Sequence, residues 1–449
     1  MRRLRAACNI LVILALGNAC YLTRALPKAA ERVVVFLVLL ALFLFLLWRP
    51  QRSAAPTARI RALSDGSELL RLFLITVTVH FAVLTPLLIW SCTRPAQGRV
   101  SQETVFWAAN LLVAAVSEFI LFWSGMLRVC LTSVQLGVRH RVLAALCGWV
   151  PVLNIRYLRK IIRITADEAE FETEKWELDE TRAESELCRT KYPILLVHGV
   201  FFRDYRYVNY WGRIPRELLR NGATIYYGRQ QSAASVEESG RELAERIRDI
   251  AGRTGKVNII AHSKGGLDAR AAIAHCGCGP YVASLTTVNT PHRGCLFAEY
   301  LLHRTPRAAR LKIARTYNAA LRHLGDRNPD FLSAVTDLTE SACLDRNGDT
   351  PDDPGVLYES VGSFCARARS GRFPLNVSYP LVKHFDGKND GLVSVESARW
   401  GSRFTLLAPS GGRGISHGDM IDLNRENLPG FDVREFYVKL AAGLKERGF

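Results

Sequence analysis

Long apolar runs dominate the first third of the chain, whereas the remainder carries only short ones. The long runs lie near residues 7–23, 32–48, 69–90 and 104–124, and few charged residues interrupt them. A run of about 18 or more apolar residues is long enough to cross the hydrocarbon core of a bilayer as a helix. We therefore expect residues 1–124 to form a membrane region of about four spans.

The first of these runs has a second interpretation. It is shorter than the others, and Arg2, Arg3 and Arg5 precede it, which is also the layout of a secretory signal peptide. No clear small-residue cleavage site follows it, and a second apolar run begins at once. A retained span is therefore the favoured interpretation.

Two ionisable residues lie inside the predicted spans, His80 in the third and Glu118 in the fourth. An acid inside a span faces the bundle interior or marks a functional position. We interpret Glu118 as an acid satisfied by polar groups of neighbouring helices rather than as a functional residue. His80 is interpreted in the same way, as a buried or interfacial histidine.

Basic residues are unevenly distributed among the loops of this region. They are more frequent before the first run, after the second and after the fourth than in the other two loops. Because Lys and Arg favour the cytoplasmic side of short loops, both ends of the region are expected inside. The domain that follows is accordingly expected on the cytoplasmic face of the cell membrane.

Two transitional segments follow the spans. Residues 125–163 alternate apolar and basic positions and are interrupted at Gly148 and Pro151. This predicts an interfacial or re-entrant segment followed by a basic surface helix, whose cations suit anionic headgroups. Residues 164–190 are predominantly acidic, which is typical of a solvated helical linker.

From residue 191 onward, short apolar runs alternate with amphipathic segments. This alternation predicts an α/β domain over 191–449, with a mostly parallel sheet and helices on both faces. Ser235 and Glu238 have the spacing of a capping box and predict a helix that runs to about Ile250. Strands are expected at 193–197, 223–227, 256–261, 284–289, 378–384 and 403–407.

A serine between small residues ends one of these predicted strands. The string Ala261-His262-Ser263-Lys264-Gly265 has the form of a nucleophile elbow, with Ala in place of the usual first Gly. An upstream strand ends in His-Gly followed by Val200, and two later loops contain Asp390 and His417. The order Ser, Asp, His along the chain is that of the α/β-hydrolases.

Several further motifs recur in the same order, so that residues 191–449 resemble the bacterial triacylglycerol lipases of the α/β-hydrolase superfamily. They are Y-P-I-L-L-V-H-G at 192–199, Y-W-G at 210–212, A-H-S-K-G-G at 261–266, T-P-H-R-G at 290–294 and N-D-G-L-V at 389–393. The resemblance implies that Ser263 is the nucleophile, Asp390 the orienting acid and His417 the base. It also implies that the backbone N–H groups of Val200 and Lys264 form the oxyanion hole.

Two alternatives and one departure accompany this assignment. His384 is the main rival to His417 as the base, and Asp386 is the rival to Asp390 as the acid. Relatives more often carry Gln or Met where this chain has Lys264, so a cation is expected beside the nucleophile, with an effect on substrate preference. The basic amphipathic stretch at 295–330 matches the family's lid.

Calcium is a weaker expectation. The resemblance makes Asp419, two residues after His417, a candidate calcium ligand, but no second carboxylate can be located from the sequence. The acidic string from Asp345 to Asp353 lacks the Gly and Glu of an EF-hand and is interpreted as an acidic surface turn. No cofactor is expected to be required.

The formal net charge of +17 favours acidic partners. Many of the Arg residues flank the apolar runs and no nucleic-acid module is visible, so anionic lipid is expected rather than nucleic acid, and no protein partner is predicted. The sequence thus predicts a membrane-anchored serine lipase or esterase acting on membrane or neutral lipids through an acyl-enzyme. The alternatives are an acyltransferase or phospholipase with the same triad, or a non-enzymatic membrane scaffold.

Overall fold

The computed structural model describes residues 2–50, 55–93, 102–147, 153–200, 209–323, 326–408 and 412–449. The chain divides into two compact units, Met1–Glu180 and Thr181–Phe449. The described part of the first unit is helical, and the second is built from alternating strands and helices.

The first five helices of the first unit contain the four apolar runs, and the last two lie in the basic and acidic segments that follow. The helices are α1 (Arg2–Gly17), α2 (Ala19–Thr23), α3 (Ala29–Trp48), α4 (Ala58–Thr93), α5 (Gln102–Thr132), α6 (Gly137–Cys147) and α7 (Leu153–Thr181).

Three stretches of these helices are long and apolar enough to cross a membrane, namely Ala29–Trp48, Ala58–Ser91 and Thr104–Thr132. The apolar part of α1, Leu4–Gly17, is shorter, and α2 follows it after one residue. The sequence predicted about four spans, and the structure supplies three long apolar helices and this shorter one. The loop between the third and fourth runs, at 94–101, lies outside the described residues.

The two ionisable residues of the spans meet inside this unit. His80 Nδ1 lies 2.9 Å from Glu118 Oε1, and both side chains are buried. The imidazole packs against Gly17 of α1, where a Cβ would clash with the ring. Glu118 therefore faces the bundle interior and has a histidine as its partner.

The predicted basic and acidic segments share one helix. Helix α7 begins at Leu153, within the predicted interfacial segment, and ends at Thr181, within the predicted acidic linker. The change of charge from basic to acidic therefore falls inside a continuous helix. The interruption expected at Gly148 and Pro151 lies outside the described residues.

In the described part of the second unit, six parallel strands form one sheet in the order β2-β1-β3-β4-β5-β6. The strands are β1 (Ile194–Val197), β2 (Ile225–Tyr227), β3 (Val257–His262), β4 (Val282–Val288), β5 (Leu357–Ser363) and β6 (Arg403–Leu407). The chain runs outward from β1 to β2 and then returns to β3 on the other side of β1. A cleft for ligands is expected where the strand order reverses, at the carboxyl ends of β1 and β3.

Helices connect the strands and cover both faces of the sheet, as the alternating pattern predicted. They are α8 (Ile214–Arg220), α9 (Val236–Thr254), α10 (Lys264–His275), α11 (Leu296–Arg304), α12 (Arg307–His323), α13 (Phe331–Thr336), α14 (Glu340–Asp349), α15 (Leu375–Asp386) and α16 (Val433–Glu446). Helix α9 starts at the predicted cap, because Glu238 N–H donates to Ser235 Oγ at 3.1 Å.

Alternate residues of β1 enter different cores. Ile194 and Leu196 pack into the cluster that contains Trp211 and Tyr437, whereas Leu195 and Val197 pack into the cluster under α9 and α10. All four side chains are fully buried, because the sheet is covered on both faces. Because both faces of the sheet are covered, the sequence of this strand is apolar at nearly every position.

One predicted strand was wrong, and one observed strand was not predicted. Residues 378–384 lie in helix α15, which buries Tyr379 and Val382 at a spacing of three residues. Strand β5 lacks an apolar alternation because it buries a polar residue, Ser360. The Ser360 hydroxyl forms hydrogen bonds with the backbone of Trp400, which allows a serine to be buried there.

Candidate active site

Ser263 follows directly after β3 in a strained turn. Its backbone has φ 57° and ψ −133°, a region that residues other than Gly rarely adopt. The two glycines that follow, Gly265 and Gly266, leave space that a side chain would fill. A Cβ on Gly265 would clash with the carbonyl oxygen of His198, and one on Gly266 would clash with Thr290. The sharp turn between strand and helix is the geometry that the sequence predicted.

His417 and Asp390 lie together beside this turn. His417 Nδ1 is 2.7 Å from Asp390 Oδ2, and the backbone N–H of His417 donates to the carbonyl oxygen of Asp390 at 3.0 Å. The His417 ring lies 4.4 Å from the ring of His262, the residue that precedes Ser263. The fold thus brings the three residues of the predicted triad to the carboxyl edge of the sheet.

The Asp390 carboxylate is fully buried and held by donors on every side. Its Oδ1 accepts the backbone N–H groups of Leu392 and Val393 at 2.8 and 2.7 Å. Its Oδ2 accepts Asn289 Nδ2 at 2.6 Å, in addition to the His417 contact. Sequence reasoning missed Asn289, although it stands directly before the T-P-H-R-G motif.

His262 supports the site without competing for the role of base. Its Nδ1 lies 2.7 Å from the hydroxyl of Tyr210, and burial, with the neighbouring His417, holds its pKa well below the ordinary value. The imidazole is therefore neutral near pH 7. Tyr210 belongs to the Y-W-G string, and its hydroxyl lies 2.8 Å from the position that a Cβ on Gly199 would occupy.

Of the two expected oxyanion donors, Lys264 follows Ser263 directly, and Val200 follows Gly199, which lies against Ser263. Lys264 opens α10, and the N–H groups of a helix's first turn have no acceptor within the helix. Gly199, which precedes Val200, approaches so closely that a Cβ there would meet Ser263 Cβ at 2.8 Å. Residues 201–208, which follow Val200, lie outside the described residues.

The side chain of Lys264 does not place a cation in the site, which corrects the expectation drawn from the sequence. Its Nζ donates to Asp268 Oδ1 at 2.6 Å and to Ser239 Oγ at 3.1 Å, and the side chain is fully buried. Burial raises the pKa of Asp268 to about 6 despite this lysine. The ammonium of Lys264 is therefore directed toward Asp268 and Ser239.

The two rival residues lie elsewhere. Asp386 accepts the backbone N–H groups of Leu296 and Phe297 at 3.2 and 3.4 Å and so caps α11. His384 is exposed and packs edge-on against Phe385. Neither contacts His417 in the described part of the chain.

Helices α11 and α12 occupy the segment expected to form a lid. Leu321 of α12 shares a small apolar cluster with Val200, the residue after the His-Gly motif. Earlier on α12, Leu311, Ile313 and Tyr317 are exposed by 40–47%. This helix therefore contacts the edge of the site and presents apolar side chains to the outside.

The residues around Asp419 do not fit a calcium ion. Its carboxylate accepts Arg413 Nη1 at 2.8 Å, the Ser416 N–H at 2.8 Å and the Ser416 hydroxyl at 2.7 Å. Among the described residues, no group of three or more acidic, His or Cys side chains is placed to hold a metal.

The first part of the acidic string, from Asp345 to Asp349, is helical rather than a surface turn, which corrects the prediction for these residues, whereas Asp352 and Asp353 follow the helix. Residues Asp345 and Asp349 lie on α14, together with Asn347. The Asn347 side chain accepts a hydrogen bond from Arg270 and donates one to the carbonyl oxygen of His292.

Comparison with known proteins finds triacylglycerol lipases among the sequence relatives of this chain. No family model matches the chain. It is 39% identical over 121 residues to a triacylglycerol lipase of Pseudarthrobacter phenanthrenivorans, a match that covers 25% of this chain and 37% of that protein. It is 29% identical over 239 residues to a triacylglycerol lipase of Vibrio cholerae, covering 47% of this chain and 75% of that one.

Among solved structures, the Staphylococcus hyicus lipase matches with a TM-score of 0.46 and 18% identity over 57% of this chain and 96% of its own. The first of the sequence relatives is matched over little more than a third of its length. The sheet topology, the strained serine and the sequence relatives agree. The carboxyl-terminal unit of this chain has a parallel sheet with a strained serine turn after β3, and its sequence is similar to those of triacylglycerol lipases.

Proposed function

We propose that this protein is a membrane-anchored serine esterase that cleaves acyl ester bonds of lipids. The observation that carries the proposal is the strained backbone of Ser263 beside the buried His417–Asp390 pair. Backbone strain of this kind occurs where a function requires it. The sequence relatives, which are triacylglycerol lipases, support neutral acyl glycerols or membrane lipids as the substrate class.

The proposed reaction starts with a proton transfer. His417 Nε2 accepts the proton of the Ser263 hydroxyl while Oγ attacks the ester carbonyl. Asp390 accepts a hydrogen bond from His417 Nδ1, which leaves Nε2 free as the base and stabilises the imidazolium. The backbone N–H groups of Val200 and Lys264 hold the oxyanion, and loss of one such donor costs roughly 3 kcal/mol in other serine hydrolases.

Departure of the alcohol completes the first half of the proposed reaction. His417 returns the proton to the leaving oxygen, and an acyl-enzyme forms on Ser263. Water, activated by the same imidazole, then releases the fatty acid. An alcohol acceptor in place of water would make the protein an acyltransferase, and the identity of the product distinguishes these two reactions.

The membrane is the proposed source of substrate. The three long apolar helices of the first unit are suited to anchor the chain, and α12 presents exposed apolar and basic side chains. A basic amphipathic helix binds anionic lipid surfaces. We propose that α11 and α12 act as a lid, and that the hydrolase domain lies on the cytoplasmic face of the cell membrane.

The test uses the full-length protein in detergent or in vesicles. A fluorophosphonate probe should label the wild-type protein, and triacylglycerol or phospholipid in mixed vesicles should release fatty acid. Ser263→Ala should abolish labelling and lower hydrolysis by at least about a thousandfold, because the nucleophile is removed. Ser341→Ala, which changes an exposed serine on α14, is the matched control and should behave as wild type.

Probe labelling, hydrolysis and product analysis together distinguish the alternative functions. Labelling and hydrolysis that survive Ser263→Ala would refute the assignment of the nucleophile. Absence of both in the wild-type protein would favour a non-enzymatic membrane protein. Mass spectrometry of the products then separates release of fatty acid from transfer to an acceptor.

A further inference from the structure

His417 lies on a turn that is closed by its own backbone. The Asp419 N–H donates to the Ser416 carbonyl oxygen at 3.0 Å, so residues 416–419 form a four-residue turn with His417 at its second position. The Asp419 side chain folds back over the same turn, where Oδ2 accepts the Ser416 N–H and hydroxyl. The position of the imidazole therefore depends on the Asp419 carboxylate.

An arginine balances the charge of this carboxylate. Arg413 donates through Nη1 to Asp419 Oδ2 at 2.8 Å and through Nη2 to Oδ1 at 3.3 Å. The Asp419 side chain is only 3% exposed. A buried carboxylate without a partner is strongly destabilising, so the turn requires a positive charge at this point.

A second carboxylate meets the same guanidinium. Arg413 Nη2 also donates to Glu426 Oε2 at 3.1 Å. Asp419 and Glu426 thus converge on one nitrogen, as carboxylates converge on a calcium ion, which takes oxygen ligands. Glu426 is paired with Arg372 as well.

The backbone of Arg413 is anchored independently of its side chain. Its carbonyl oxygen accepts the Ala366 N–H at 3.0 Å, and the Ile415 N–H donates to the Phe364 carbonyl oxygen at 2.8 Å. Both partners follow directly after β5. These backbone hydrogen bonds hold Arg413 in place, and its guanidinium contacts Asp419 in the loop that carries His417.

We propose that Arg413 is a positioning residue for His417, and that its guanidinium serves in place of a divalent cation. The inference rests on the proposed function, in which His417 is the base. The planar guanidinium offers a bidentate fork to Asp419. The wild-type site therefore holds its turn without calcium, and removal of the arginine leaves two carboxylates that a calcium ion can bridge.

The experiment compares full-length wild type, Arg413→Ala and Arg413→Lys in detergent, with a soluble short-chain ester as substrate. Each is assayed with excess chelator, with calcium chloride, and with guanidinium chloride at low concentration. Wild type should hydrolyse the ester equally in chelator and calcium. Arg413→Ala should lose roughly ten- to hundredfold in kcat in chelator, with little change in KM, because a displaced imidazole slows the chemical step.

Rescue separates positioning from general damage to the fold. Calcium or guanidinium should restore at least part of the kcat of Arg413→Ala and should raise its Tm, whereas neither should change wild type. Arg413→Lys should lie between the two. Arg253→Ala removes an arginine from an exposed pair with Asp249 and is the matched control, with no calcium response expected.

Three results would overturn the inference: loss of wild-type activity in chelator, full activity of Arg413→Ala in chelator, or a Tm of Arg413→Ala that calcium and guanidinium leave unchanged. The Tm measurement needs no catalytic activity. A failure of the proposed function would instead appear as wild-type hydrolysis that Ser263→Ala does not remove.

Discussion

Asp390 accepts more hydrogen bonds than the orientation of His417 alone would require. Four donors reach its two oxygens, and one of them is the side chain of Asn289. Asn289 has φ 47°, and its Nδ2 also donates to Ser363 Oγ at 2.8 Å. This asparagine therefore ties the acid to the end of β5 and fixes which oxygen faces the imidazole.

Removal of this amide should slow the chemistry rather than weaken substrate binding. Asn289→Gly tolerates the positive φ and deletes the hydrogen bond to Asp390 Oδ2. We expect kcat to fall roughly ten- to hundredfold, which corresponds to the loss of a hydrogen bond to a charged group, with KM unchanged. Steady-state kinetics on a soluble ester measure both quantities.

Ser363→Ala is the companion control, because it removes the other partner of Asn289 and keeps the bond to Asp390. Its effect on kcat should be smaller. An unchanged kcat in Asn289→Gly would show that the two backbone donors orient the acid on their own.

At the scale of elements, helix α12 combines three properties. Leu321 packs against Val200, the apolar side chains Leu311, Ile313 and Tyr317 face outward, and exposed cations lie between them. A surface helix of a purely soluble protein would bury more of its apolar side chains. The arrangement is suited to a helix that leaves the site at a lipid surface.

Charge removal from α12 should therefore affect activity at the membrane only. Substitution of Arg307, Lys312 and Arg315 by Gln removes about 3 kcal/mol of attraction to anionic headgroups, at about 1 kcal/mol per residue. Hydrolysis of lipid in anionic vesicles should fall severalfold or more, and hydrolysis of a soluble short-chain ester should not change.

The control for this prediction carries the same change of charge on another helix. Arg241, Arg248 and Arg253 of α9 are exposed, and their replacement by Gln should leave both activities as in wild type. An equal loss on vesicles and on the soluble ester in the α12 variant would contradict the proposed role of the lid.

For the molecule as a whole, the distribution of Lys and Arg predicts the side of the membrane on which the chemistry occurs. A green fluorescent protein fused after residue 449 should fluoresce, because that reporter folds in the cytoplasm. Alkaline phosphatase at the same position should be inactive, since it requires the oxidising exterior. Active phosphatase with a dark fluorescent fusion would reverse the proposed orientation.

Local patterns were sufficient for much of the fold and the site. The apolar runs predicted α1 to α5, and the spacing of Ser235 and Glu238 predicted the start of α9. Strand β5 escaped prediction because tertiary hydrogen bonds satisfy its buried serines. Its neighbour α15 resembles a strand locally because it begins with aromatic, branched and proline residues.

The direction of side chains was the least predictable property. Lys264 appeared to point into the site, yet Asp268 lies four residues later on the same helix and was readable as its partner. The role of Arg413 depends on Glu426, which no local pattern connects to it. The direction of Lys264 thus follows from a local pair that the sequence contains, whereas the direction of Arg413 is set by contacts between segments that no local pattern connects.

The strained backbone of Ser263 also bears on whether this domain has kept a catalytic function. A residue in this conformation costs roughly 1–3 kcal/mol, a sizeable share of the 5–15 kcal/mol by which folded domains exceed their unfolded state. A chain retained only for its membrane helices would gain stability from any substitution that let the turn relax. A serine that is kept in this strained conformation is what one expects of a domain that is selected for catalysis.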